Sequence, residues 1–468
     1  MSYRRELIQI RPTNLGNGKF GSREGLPQLI FEIPQVPKIM NGKSLKISGN
    51  FSAFASSGVR PNNSTQFFQQ VANNTNDVVY IDGRTGVSSC YDVVSIQSLS
   101  NGQTYENIKN YNRLCSSLMP LNDSIKSYLN GGIDGIYGGL SKEVSTARKC
   151  DRDFSFATPL LAGFLQGNPI DLNLVGGLRI VITLAPDNFV LRNNRWRFDS
   201  NQGGLGSGGA FYELSDMMLT FEAEVPDAEG QEAMMKNMNG SWEYNAYSSY
   251  YNVIQSNDHN AVININTGKT ISTIMNIIPS SFLNNYNYNS SWATQLLQDD
   301  AGGTMRNRVA MTEFTLTKGG LRIPLDFEID SAEAQTDGTA ASAKTLEELN
   351  AIREVWRLSN FEKSLKTELS LSLGDNVDAG NAADQAKFTL VSGNGYSIND
   401  EDKIKCDNFG VAYDHITGNG LNFKNTPLGI RIQSTAPSGT ALKPHSLFIF
   451  VKHKNTIVFN NGMVNVMS

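Results

Sequence analysis

The sequence predicts an all-β chain folded as two consecutive eight-stranded sandwiches, with short helices in the loops. Three observations predict it. Apolar and polar residues alternate with period two in segment after segment, which gives each strand one apolar face. The chain is rich in Asn, Ser, Thr and its 42 Gly, and only 18% of it is charged, a composition that suits strands joined by turns and disfavours long helices. A polar stretch from Trp292 to Gly303 then divides the alternating segments into two sets.

The boundaries follow from that division. Residues 1–27 read as an N-terminal arm, thinly basic through Arg4, Arg5, Arg11, Lys19 and Arg23. Such an arm is either a solvated tail or one that docks on a neighbouring subunit or the inside of a shell. Residues 28–300 form the first sandwich and residues 301–468 the second. In the first set, Leu45 and Ile47 begin one strand, and Val78, Val79 and Tyr80 form another that closes at Asp82-Gly83. Tyr105, Ile108 and Leu114 suggest a short helix. Long strand patterns run from Tyr212 to Val225 and from Ala261 to Ile278, the latter with Ile263 and Ile265 in phase.

The stretch from Phe156 to Pro186 carries the most information. Ile170, Leu172 and Leu174 alternate with Asp171 and Asn173, and beyond Gly176-Gly177 the apolar positions Leu178, Ile180, Ile182 and Leu184 alternate with Arg179, Val181 and Thr183. Two glycines between alternating runs predict a tight hairpin. On that register Leu172, Leu174, Ile180 and Ile182 face the core, while Asp171, Asn173, Arg179 and Thr183 face away from it.

In the second set, Phe314 and Leu316 lie on one strand. After Gly319-Gly320, the positions Leu321, Ile323, Leu325, Phe327 and Ile329 form the cleanest one-face-buried strand in the chain. Thr345 to Leu358 reads as a helix, capped by Thr345 and Glu348 and striped by Leu346, Leu349, Ile352 and Trp356. Leu369, Leu371 and Leu373, then Leu428, Ile430 and Ile432, then Leu447 to Val451 continue the strands, and Asn461-Gly462 makes a turn near the end. The count is about eight strands on each side of the linker, and eight is the strand number of a jelly roll. The string GGLRI occurs at Gly176–Ile180 and Gly319–Ile323. It falls late in one set and early in the other, so it is no true repeat.

No motif for chemistry survives scrutiny. Gly204, Gly206 and Gly209 match a dinucleotide-binding spacing, but they sit in a flexible glycine loop without the strand and helix that spacing requires. Gly268-Lys269-Thr270 resembles the end of a phosphate loop but lacks its first glycine and reads as a strand turn with an exposed lysine. The four histidines, His259, His415, His445 and His453, form no ligand spacing. Glu222 and Glu224 share an outward strand face, and no G-x-S-x-G elbow is present. No catalytic, cofactor-binding or metal residue is therefore assigned, and an enzyme is not expected. Net charge is −5 with no basic block, so direct sequence-specific nucleic-acid binding is not expected either. The N-terminus MSYRRELIQI lacks the apolar core of a signal peptide. Cys90, Cys115, Cys150 and Cys406 are widely spaced, which fits buried free thiols in a chain made in a reducing cytosol.

The Pro-Leu-Leu element and glycine-turned segment of Phe154–Pro186 resemble the major capsid proteins of double-jelly-roll viruses, especially polinton-like viruses and virophages. The resemblance is weaker over Tyr212–Pro226 and Leu421–Val451, where GNGLNFKNTPLGIRI (Gly418–Ile432) is similar to a late strand pair of the second jelly roll. It implies a structural protein of the virion, made in the host cytoplasm, that forms homotrimers. Two jelly rolls per subunit give such a trimer six similar walls, so that it tiles an icosahedral shell beside other capsomers, penton proteins and minor capsid proteins. A lectin-like or adhesin sandwich is the alternative, and a β-sandwich hydrolase a more distant one.

Overall fold

The computed structural model describes residues 3–54, 79–82, 86–115, 147–149, 153–193, 210–236, 239–254, 260–279, 310–322, 329–330, 409–414, 422–435, 445–460 and 463–467, less residues 22, 24, 25, 266 and 425. The expected linker at Trp292–Gly303, the helix at Thr345–Leu358 and the strand at Leu369–Leu373 lie outside them.

Among the described residues eight longer strands build the first sandwich: β1 (Tyr3–Ile10), β2 (Gln28–Ile33), β3 (Ile39–Phe54), β4 (Tyr91–Ser98), β5 (Thr104–Lys109), β6 (Phe154–Pro159), β7 (Leu178–Leu184) and β8 (Phe211–Pro226), with two-residue strands at Lys19–Phe20 and Ile170–Asp171 added to one sheet. One sheet has the order β1-β8-β3-β6 and the other the order β2-β7-β4-β5. Eight more form the main order of the second: β9 (Gly240–Ile254), β10 (Asn260–Ile263), β11 (Thr270–Pro279), β12 (Ala310–Lys318), β13 (Leu321–Arg322), β14 (Phe409–Asp414), β15 (Leu428–Thr435) and β16 (His445–Asn460), with Ile329–Asp330 paired to β12 and Met463–Met467 to β16. Their sheets run β9-β16-β11-β14 and β10-β15-β12-β13. Adding eight to each strand number of the first sandwich gives the order of the second. The chain is a double jelly roll.

Alternation explains the first core. In β7 the residues Leu178, Ile180, Ile182 and Leu184 are buried while Arg179, Val181 and Thr183 are half-buried. The outward residues meet partners across the strand pair: Arg179 grips Glu32 through Nε at 3.0 Å and Nη2 at 2.8 Å, and Gln28 Nε2 donates to Thr183 Oγ1 at 3.3 Å. Across the core from the buried four, Ile47 and Phe51 of β3 and Leu214, Leu219 and Phe221 of β8 fill the opposite wall. Each fully buried side chain of this kind contributes about 1.5–3 kcal/mol.

β16 reads differently. Leu447, Phe448, Ile449, Phe450 and Val451 are all buried, on both faces. Phe448 and Phe450 join the apolar cluster of the first sandwich. A continuous apolar run is what a strand covered on both sides requires.

Several expectations give way. Strand pairing puts the boundary between Pro226 and Gly240, bridged by a helix at Ala228–Lys236, and not near residue 300. The polar stretch that suggested a linker lies in the connection between β11 and β12, inside the second sandwich. Residues 1–27 are no separate arm, because Tyr3–Ile10 pairs along its whole length with Ile10↔Leu219 through Tyr3↔Pro226. Tyr105 and Ile108 belong to strand β5, and the helical residues are 111–115. The Ala261–Ile278 pattern is two strands in opposite sheets, although Ile263 and Ile265 are both buried as expected. Leu321, expected inside, is 69% exposed at the end of its hairpin.

Gly176-Gly177 also turns out otherwise. Ile170–Asp171 pairs with β3, whereas β7 pairs with β2 and β4, so the glycines join two sheets and close no hairpin. Residues 171–176 form one helical turn. Asp171 Oδ1 accepts the N–H groups of Asn173 (2.9 Å) and Leu174 (3.1 Å), as an N-cap does. Gly177 N–H reaches Leu172 O at 2.8 Å and Gly176 N–H reaches Asn173 O at 3.2 Å, the two bonds of a Schellman cap. Both glycines have positive φ, 74° and 69°. Leu172 is buried and Leu174 packs partly buried against the core. The inward set is thus right, although its backbone is a turn. Gly319-Gly320, in contrast, does close the β12–β13 hairpin, with φ of 57° and 85° and Lys318 paired to Leu321.

Candidate functional site

Two edge strands meet where the sandwiches join. β5 ends one sheet and β9 ends another. An uncovered edge presents unpaired N–H and C=O groups, and burying it demands partners for them. Here side chains supply those partners. Glu106 of β5 accepts Tyr247 N–H of β9 on Oε1 at 2.6 Å. The same oxygen accepts Gly163 N–H at 3.1 Å, and Oε2 accepts Phe164 N–H at 2.8 Å. Lys109 N–H donates to Ser249 Oγ at 3.2 Å, and Tyr244 O–H donates to Tyr105 O at 2.7 Å.

Close packing completes the joint. A Cβ on Gly163 would lie 2.6 Å from Asn245 O, so β9 approaches this turn as nearly as a backbone can. Phe164 stacks on Tyr105 at 5.0 Å and meets Trp242 and Tyr244 edge-on, both at 5.1 Å. The Arg113 guanidinium lies 4.2 Å from the Phe448 ring centroid and 5.4 Å from that of Phe189. Burial pushes the Glu106 carboxyl up to about 7, against the opposing pull of its three amide donors and of Lys452.

At one end of the first sandwich, Val79–Asp82, Ala147–Lys149 and Leu191–Asn193 form a small three-stranded sheet. These pieces come from the β3–β4, β5–β6 and β7–β8 connections. The sheet ties together three loops of the first jelly roll.

The residues weighed for chemistry are scattered. Lys269 pairs with Glu243 at 3.5 Å, and Thr270 is buried against Thr267 at 2.7 Å, a strand turn as expected. Glu224 pairs with Arg5 at 3.5 Å on the sheet surface, and Glu222 is exposed. His453 is 4% exposed, its Nε2 2.8 Å from Ser248 Oγ, and burial holds its pKa below the usual value. His445 begins β16, while His259, His415 and the Gly204–Gly209 loop lie outside the described residues. Among the described residues no three His, Cys, Asp or Glu side chains cluster as metal ligands. Cys90 and Cys115 are buried free thiols. Four of the five basic N-terminal residues are paired: Arg4 with Glu6, Arg5 with Glu224, Lys19 with Glu213 and Arg23 with Asp187.

Alternation missed Glu106. The β4–β5 register slips between Ile96 and Gln97, so Ile96 opposes Glu106 while Gln97 opposes Thr104. That irregularity buries Tyr105 and Glu106 together, and consecutive inward residues break the period-two rule. An acid directly after Tyr105 was the signal available in the sequence.

No protein-family model matches the chain, and no curated protein matches it. Solved structures do. PBCV-1 VP54, fitted into a reconstruction of the virophage Sputnik, aligns at 12% identity and a TM-score of 0.54 over 100% of this chain and 97% of its own. The Faustovirus major capsid protein aligns at 9% identity and 0.52, over 98% and 91%. The Sputnik virophage structure aligns at 11% identity and 0.50, over 99% and 88%. The chain has the double-jelly-roll fold of these viral proteins from end to end.

Proposed function

We propose that this chain is a major capsid protein, which assembles as a homotrimer whose six jelly rolls form a pseudo-hexagonal capsomer. The observation that carries this reading is the repeated topology. Two jelly rolls of the same strand order, locked edge to edge in one chain, supply two similar walls per subunit. Three subunits then present six walls, the number that tiles a nearly hexagonal lattice. The full-length fold match to the Faustovirus major capsid protein supports the same reading.

On this proposal the role is structural and no residue performs catalysis or holds a cofactor or metal. The partners are further copies of the chain, neighbouring capsomers, and penton and minor capsid proteins. The chain makes no sequence-specific contact with nucleic acid. It is made in the host cytoplasm and ends in the virion. A trimer contact of this type buries more than roughly 1,600 Å², so the assembly is expected to persist at micromolar concentration. Light scattering and negative-stain imaging of the purified protein test this directly. Trimers with pseudo-hexagonal outlines, or closed shells, are expected, and a monomer across micromolar concentrations and ordinary salt would overturn it.

A further inference from the structure

Glu106 is 3% exposed, and its three hydrogen-bond donors among the described residues are backbone amides. Two belong to the turn at Gly163-Phe164 in the first sandwich. The third, Tyr247 N–H, belongs to β9 of the second. This one carboxyl therefore touches both bodies.

The ionisable groups around it offer little compensation. On its own strand, Tyr105 has its hydroxyl committed to Val175 O at 2.7 Å, and Lys109 is exposed. The Gly163-Phe164 turn carries no ionisable side chain. On β9, Tyr244 donates to Tyr105 O, Tyr247 offers only its amide to the carboxyl, and Glu243 is turned to Lys269. On β16, His453 is engaged with Ser248, and Lys452 sits 6.0 Å from the Tyr247 ring centroid. Among the described residues, Lys452 is the charge whose field favours the carboxylate.

We infer that Glu106 makes the joint between the two sandwiches proton-sensitive, closed when its carboxyl is neutral and prone to open when it is ionised. The geometry supports closure in the neutral form. A proton on Oε2 weakens the bond from Phe164 N–H, but Oε1 still accepts from Gly163 and Tyr247, so the bond across the joint survives. Ionised, the same group holds a charge out of water with backbone amides as its hydrogen-bonding partners among the described residues, and opening the joint returns that charge to solvent.

The sign follows from linkage. Burial raises the closed-state carboxyl from 4.5 to about 7. The closed joint thus binds the proton more tightly than the open one, and acid favours closure. Between pH 4.5 and 7 the opening equilibrium grows with pH, by up to about tenfold per unit, and above 7 it levels off. The whole effect is on the order of 10²-fold.

Hydrogen exchange of the full-length protein, read by mass spectrometry on peptides covering residues 160–166 and 243–249, tests this. After correction for the intrinsic rate, protection should fall on the order of 10²-fold from pH 5 to pH 8, while strands remote from the joint stay unchanged. Glu106→Gln should flatten the profile. Lys452→Met, which leaves the amide bonds in place, should move its midpoint to higher pH and covers the case in which Glu106→Gln fails to fold. A pH-independent protection in the native protein, or a native-like profile in folded Glu106→Gln, would overturn the inference. So would an unmoved midpoint in Lys452→Met.

Discussion

Gly163→Ala probes the joint at its tightest point. The added Cβ would stand 2.6 Å from Asn245 O, 2.9 Å from Asn245 C and 3.1 Å from Ala246 Cα. These are backbone atoms of β9, which cannot swing aside as a side chain can. Contacts under 3.0 Å are not tolerated, so β9 or the turn must shift by at least 0.4 Å. Such overpacking costs about 1–3 kcal/mol. The smaller entropy of the unfolded chain returns about 0.4–1 kcal/mol, and stretching the Gly163 N–H bond to Glu106 removes about as much again. The net loss is therefore about 1–3 kcal/mol. At roughly 2.1 cal/mol/K per residue, a chain of 468 residues unfolds with about 1 kcal/mol/K of entropy. The melting temperature should then fall by about 1–3 °C. Gly167→Ala is the control, since nothing lies within 4 Å of its Cβ, and its melting temperature should match the parent or exceed it slightly. Scanning calorimetry of the pair, with a denaturant titration to check the free energy, gives the comparison. Equal stabilities for Gly163→Ala and Gly167→Ala would refute the close approach of β9 to this turn.

Other outcomes follow from single contacts. Ile180→Asp buries an unpaired charge at a position that is 0% exposed, a loss above about 4 kcal/mol that should leave no soluble protein on expression. Thr183→Asp, half-buried beside Gln28 on the outward face, should give soluble folded protein; similar solubility of the two would mean the register is wrong. Asp171→Ala removes the acceptor for two amides and should cost about 1 kcal/mol in urea titration, whereas Asp171→Asn keeps the cap and should cost less. Identical midpoints for those two variants would exclude the capped turn.

The sequence by itself determined the class of fold and most of the strands. Alternation around Ile180 depends only on which face is wet, and a period of two records that directly, while the unbroken run Leu447–Val451 records a strand covered on both faces. The comparison of GGLRI at two places was legible for the same reason, since position within a strand set is a property of order alone. Tertiary structure decided the rest. A polar loop between β11 and β12 has the composition of a linker, so only pairing could show that β9, β10 and β11 belong with β16, β15 and β14. Asp171 and Gly176 fit a capped turn as well as a hairpin, and the choice fell to the neighbours, because Ile170 pairs with Met40 in one sheet and Leu178 with Ile33 in the other. Glu106 is the clearest case. Its burial follows from a slip in register against Ile96 and from the arrival of Tyr247 from another sandwich. Both are long-range events, and a local pattern of apolar and polar residues does not encode them.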